Sequence, residues 1–240
     1  DVAYMAGVDT GPGGAQLTNY KVYMSVGHDE YWSGDQRANV EAARDAGVHM
    51  IFISGNEVYW KTRWEADTSG AANRTLVCYK ETHAVAKIDP SSQWTGTWRD
   101  PSFSPPSDGG RPENALTGTI FQVDSFRADT ITVPFGPSRL RFWRNTTVAN
   151  TPSGQSTSLA AGMLGYEWDE SPDNGFRPGG LVHLSATTLP VDTYLLDYGN
   201  TVGSAQATHN LALYRAPSGA LVFGAGTVFW SFGLDTNHDY

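Results

Sequence analysis

The hydrophobic pattern changes character along the chain. "NYKVYMSVG" (19–27) and "VHMIFISG" (48–55) are short apolar runs of the kind that form buried parallel strands. Between them Ser33 and Gln36 make a capping-box pattern, and Val40, Ala43 and Ala46 fall on one side at helical spacing. Gly47 suits the left-handed position after a helix. Strand, helix and strand with short joins predict a right-handed crossover and a parallel pair. "DVAYMAGVD" (1–9) reads as a third strand.

From residue 67 the pattern loosens. "QWTGTWRDPSFSPPSDGGRPEN" (93–114) is rich in Pro, Gly and Trp and predicts a long irregular loop. Short β candidates follow in "TGTIFQVD", "TITVPF", "LRFWRN", "AGMLGYEWDE" and "GLVHLSATT", and "LALYRAPSGALVFGAG" (211–226) reads as a hairpin about Pro-Ser-Gly. The expectation is one α/β domain. A parallel-sheet core occupies 1–66, a loop and β insertion 67–160, and strands with the C-terminal hairpin, completing the core, 161–240.

Composition narrows the classes. The net charge is −9, and only four of the sixteen basic residues are lysines, with no basic stripe, so nucleic acid is not an expected partner. No apolar run approaches the roughly 20 residues of a membrane helix, so no membrane is expected either. Asp1 follows no initiator methionine or signal-peptide pattern and reads as the interior of a longer chain. The lone Cys78 has no partner at disulfide or zinc spacing and leaves the compartment undecided.

The candidate chemistry lies where the two strands end. They deliver "GHDE" (27–30) and "SGNE" (54–57) to one edge of a parallel sheet, where open α/β sheets bind ligands. His28 and Glu30 are two residues apart, so an extended backbone points both the same way. A carboxylate there can bind a hard metal, and an imidazole can move protons. Asp29 would face away, into a structural hydrogen bond. Asn56 is first of all a turn residue; its amide can also donate to a developing oxyanion. Glu167, between Tyr166 and Trp168, is either an outward strand acid or a buried carboxyl suited to acid/base work. G-x-S-x-G and a phosphate loop are absent, and Asn56 stands where a cysteine amidotransferase of this fold would carry its thiol.

The chain resembles the C-terminal domain of the large (β) subunit of N,N-dimethylformamidase. The likeness rests on "VGHDEYWS", "ISGNEVYWKTRWE", "RPENALTG", "LGYEWDE" and "LYRAPSGALVFGAGTVFWSFGLD", in that order over essentially the whole chain. The resemblance implies a glutamine-amidotransferase-like, flavodoxin-like α/β fold. It also implies an amide hydrolase acting on a small linear amide through a mononuclear, ferric iron held by two tyrosines and one glutamate. By the same resemblance Glu30 is the metal-ligating glutamate, His28 the histidine beside it, Asn56 the active-site asparagine and Glu167 the acid/base. The tyrosine ligands would lie upstream, so other domains or chains would complete the centre. A reading from another class is a non-catalytic ligand- or glycan-binding module of a larger secreted protein, with exposed coplanar aromatics and Glu167 turned to solvent.

Overall fold

The computed structural model describes residues 1–102 and 110–235. In chain order its strands are β1 (Val22–Ser25), β2 (Tyr31–Ser33), β3 (His49–Phe52), β4 (Trp60–Glu65), β5 (Thr75–Val77), β6 (Ile120–Asp124), β7 (Thr132–Pro134), β8 (Ser156–Ser158), β9 (Glu167–Glu170), β10 (Val182–His183), β11 (Thr187–Leu196), β12 (Thr201–His209), β13 (Ala212–Arg215) and β14 (Leu221–Gly224). Helix α1 (Gly7–Thr10) is a single turn, and α2 (Gly34–Asp45) has three.

The expected crossover is present. The Ser33 hydroxyl accepts the Gln36 N–H (3.2 Å) and caps α2, and Gly47 leaves it at φ +101°. β1 and β3 then pair in parallel from Val22 opposite His49 to Ser25 opposite Phe52. β14 adds in parallel on the other side of β3, and β13 and β10 follow antiparallel. The hairpin is therefore β13 and β14, as its sequence indicates. Val40 and Ala43 of α2 pack on Met50, Phe52 and Val222 of this sheet.

The flavodoxin-like expectation does not hold. Among the described residues α2 alone exceeds six residues of helix, and the molecule is mostly strands in several small sheets. Such a fold needs helices on both faces of its sheet. Here α2 covers one face, while Leu213 and Phe223 on the other pack against a second apolar cluster built on Val123, Trp168, Val191 and Ala207. That cluster fills a closed, four-stranded arrangement of β6, β9, β12 and β11. Two smaller ladders, β2–β4–β5 and β7–β8, complete the strands.

Three local expectations also change. Residues 1–6 form no strand; the Asp9 carboxylate accepts the Ala6 N–H (2.9 Å) and caps α1 instead. "LRFWRN" is a 3-10 turn at Arg141–Trp143, with the Trp143 indole donating to the Leu184 carbonyl (2.9 Å). The 93–114 stretch is irregular yet largely buried, Trp94 and Trp98 fully so; its residues 103–109 lie outside the described residues. No helix among the described residues is long and apolar enough to cross a membrane.

The tip of the β11–β12 hairpin is a constrained contact. The Thr97 hydroxyl donates to the Tyr198 carbonyl (2.9 Å), and His83 Nε2 bonds the Gly199 carbonyl (2.9 Å). Gly199 sits at φ +96°, and a Cβ there would overlap the Tyr59 hydroxyl. Gly199→Ala is therefore expected to cost about 2–4 kcal/mol of stability, read by urea denaturation.

Candidate functional site

Two parallel ladders bracket the site. β1 pairs with β3, and further along the same two segments β2 pairs with β4, Tyr31 opposite Trp60. Residues 26–30 and 53–59 are thus held side by side between ladders. The Val58 N–H donates to the Asp29 carbonyl (3.1 Å) and the Trp60 N–H to the Glu30 carbonyl (2.8 Å). The second segment carries two more residues than the first over this interval, and it absorbs them by turning left-handed at Asn56 (φ +55°) and Val58 (φ +61°).

A third segment arrives from β9. The backbone oxygen of Glu167 would lie 2.9 Å from a Cβ on Gly55, so glycine is what allows the two chains to approach. Asp169 fixes the approach: its carboxylate accepts the Asn56 N–H (3.0 Å) and the Thr119 hydroxyl (2.7 Å). Burial lifts the Asp169 proton affinity to a pKa of about 7 against those two hydrogen bonds.

These contacts bring His28, Asn56 and Glu167 together. Asn56 Nδ2 donates to Glu167 Oε2 (3.0 Å) and lies 3.0 Å from His28 Nδ1, while His28 Nδ1 is 3.1 Å from Glu167 Oε2. His28 Nε2 and the Tyr166 hydroxyl share a further hydrogen bond of 3.1 Å. Glu30 and Asp124 stand nearby, Asp124 directly opposite Glu167 across the β6–β9 ladder. Asp29 turns away as its position implies, its carboxylate accepting the Ser25 hydroxyl (2.7 Å).

The electrostatics follow from crowding acids in a poorly solvated corner. Burial first, then the charges of Glu30 and Asp124, raise Glu167 from 4.5 to about 7, with the Asn56 hydrogen bond opposing. Burial also raises Glu30 to about 6, against the Lys80 ammonium and the Trp60 indole. Lys80 is held over the Trp60 and Tyr31 rings, at 4.6 and 5.3 Å from their centroids. Burial lowers His28. Burial thus moves the two proton affinities in opposite senses, the imidazole's down and the Glu167 carboxyl's up to about 7.

Tyr166, Asp124, Asp169 and Lys80 were not singled out from the sequence. Asp169 and Asp124 are visible as strand acids, since Glu167 and Asp169 alternate about the buried Trp168 and Asp124 ends a strand, but nothing local marks their pairing with the site. Lys80 carries no signal, because its place depends on the turn from β5. Of the eight tryptophans, six are buried and Trp64 and Trp230 are half-buried, so none offers an exposed stacking platform.

Glu30 offers a hard oxygen donor in excess negative charge, which fits one ligand position for a ferric ion. Among the described residues no group of three or more His, Cys, Asp or Glu is gathered to hold a metal.

Comparison with curated proteins gave no match. The family model described as N,N-dimethylformamidase beta subunit-like, C-terminal, matches residues 1–240, and the chain belongs to that family.

Proposed function

We propose that the domain hydrolyses a small linear amide of the formamide type, as part of a multi-subunit assembly. The observation that carries this reading is the closure of His28, Asn56 and Glu167 to 3.0–3.1 Å with Glu167 poised at about 7. A general acid/base works best when its pKa lies near the operating pH.

In this scheme ionised Glu167 takes a proton from the attacking water and returns it to the nitrogen of the leaving amine. Asn56 is fixed from behind by Asp169 with one amide N–H on Glu167, and its other N–H, the one beside His28 Nδ1, would turn to the carbonyl oxygen as it becomes an oxyanion. Neutral His28 keeps Glu167 and Asn56 in register and excludes water from one side. Glu30 would hold a ferric ion together with ligands from another segment or chain. When bound, that ion supplies Lewis acidity and lowers the pKa of coordinated water.

The beta-subunit description of the family supports partners completing the centre. The test is amine release from N,N-dimethylformamide by the natural protein with its companion subunits, alongside its iron content. The expected result is turnover with iron near one per copy of this chain, both lost in Glu30→Ala. Turnover retained in an iron-free Glu30→Ala protein would overturn the role of Glu30, and no release from any simple amide would overturn the reading.

A further inference from the structure

The sheet that leads into the site is covered by α2 on one face, where Tyr23, Met50, Phe52 and Val222 pack. By alternation Met24, Ile51, Phe223 and Leu213, aligned across β1, β3, β14 and β13, form an apolar row on the opposite face. Leu213 and Phe223 are packed at one end of that row, but Met24 at the other is 52% exposed. In the neighbouring row Val22, His49, Leu221 and Arg215 are all exposed. β1 is also the edge strand of its sheet. Parallel strands are ordinarily buried on both faces, and a contiguous exposed apolar patch marks an interface.

We propose that a companion subunit docks on this open face through an element that presents apolar residues flanked by Asp or Glu. Charge is the argument for that chemistry. The chain carries −9, yet this region is basic. Phe142, itself exposed, lies flat on Phe223 (5.6 Å between centroids, 14°) and brings Arg141 and Arg144 to the border of the patch. Neither of them, nor Arg215, is in an ion pair among the described residues. Neither the two rows nor the Arg141–Trp143 turn contains an acid. A second copy meeting this face with its own would set arginine against arginine, which like-charge repulsion disfavours. Position points the same way. β1 runs on into Val26, 63% exposed, and then into His28, so an element seated on Met24 and Val26 borders the candidate site.

The interface rests on the multi-subunit part of the proposed function and not on the amide chemistry. The experiment places a photo-cross-linking phenylalanine analogue at position 24 in the natural assembly and reads the linked peptides by mass spectrometry. The expected result is a link to a companion subunit, in a peptide that carries Asp or Glu beside apolar residues. A link to a second copy of this chain, to another part of the same polypeptide or to lipid, or no link at all, would overturn the proposal. Charge reversal tests the complementarity. Arg141→Glu combined with Arg144→Glu, both at exposed positions, is expected to weaken association with the companion subunit roughly tenfold or more. The readout is the midpoint of dissociation on dilution, with the circular dichroism of the concentrated assembly unchanged. Association as tight as in the native protein would overturn the proposal as well. Neither readout involves turnover, so an assembly that forms through this face yet releases no amine sinks the amidase reading and leaves the interface standing.

Discussion

Replacing Glu167 by glutamine is expected to abolish amide hydrolysis and, above pH 7, to raise the stability of the fold. The activity loss is that of a general acid/base, about 10²–10⁴-fold in kcat. The stability gain comes from the same cause. Glu167 has a pKa of about 7 in the folded chain against an ordinary 4.5, so the folded state binds more protons than the unfolded state between those values. Native stability therefore falls as pH rises from about 4.5 to 7, and the loss is complete above 7. A shift of that size is worth about 3 kcal/mol at full weight, and partial exposure of the group reduces this to about 1–2 kcal/mol. Glutamine escapes the penalty while its amide oxygen still accepts from Asn56. Urea denaturation at pH 8 should show Glu167→Gln more stable than the native chain, and the difference should vanish near pH 4. A glutamine variant that is less stable at pH 8 would mean that Glu167 is an ordinary ionised acid.

Gly55→Ala is expected to damage both fold and site. Gly55 needs its lack of side chain for space: a Cβ would meet the Glu167 carbonyl oxygen at 2.9 Å, Asp169 Oδ1 at 3.3 Å and the Thr227 Cα at 3.3 Å. Two of these are backbone atoms of paired segments and cannot swing aside, so β9 and the 53–59 segment must part. Overpacking of this kind costs about 2–3 kcal/mol. Parting them also lengthens the Asn56–Glu167 and Asn56–Asp169 bonds, and a misplacement near 1 Å costs about 10²-fold in rate. Denaturation and amine release report the two effects separately. Gly47→Ala is a useful contrast: that glycine faces open space just past the C-terminal end of α2, so only its positive φ is strained. It should lose about 1 kcal/mol and leave turnover unchanged.

What the sequence made legible was local. The β1–α2–β3 crossover announced itself through an apolar run, a cap, a helical spacing and a terminal glycine, each acting within a few residues. The β13–β14 hairpin did so through its Pro-Ser-Gly turn. The convergence of His28 and Asn56 follows from that crossover, because parallel neighbours end at one edge. The overall fold was not legible by extension from one crossover. Whether a second helix layer covers the sheet depends on what packs against Leu213 and Phe223, and that is settled by residues more than 70 positions away in the chain, such as Phe142 and Val123. The longest hairpin among the described residues, β11–β12, has no clear signature in the sequence, because Pro190, Asp192 and Gly203 interrupt its alternation and its ladder shifts register between Val191 and Tyr194.

The site shows the same division. Glu167 was picked out by its aromatic neighbours, but its burial comes from meeting Gly55 and Asn56 across 111 positions. Asp124 and Asp169 matter through pairing: one lies opposite Glu167 on β6, the other under the Asn56 backbone. Neither relation has a local signature.

The central physical claim is that this corner of the fold holds Glu167 as a carboxyl ready to exchange its proton near neutral pH. Carbon-13 NMR of glutamate-labelled chain, with the Glu167 carboxyl resonance assigned by its loss in Glu167→Gln, follows that proton directly from pH 3 to 9. A titration midpoint close to 7 is expected. A midpoint near 4.5 would contradict it, leaving Glu167 an ionised strand acid at neutral pH and the cluster of His28, Asn56 and Glu167 without its acid/base.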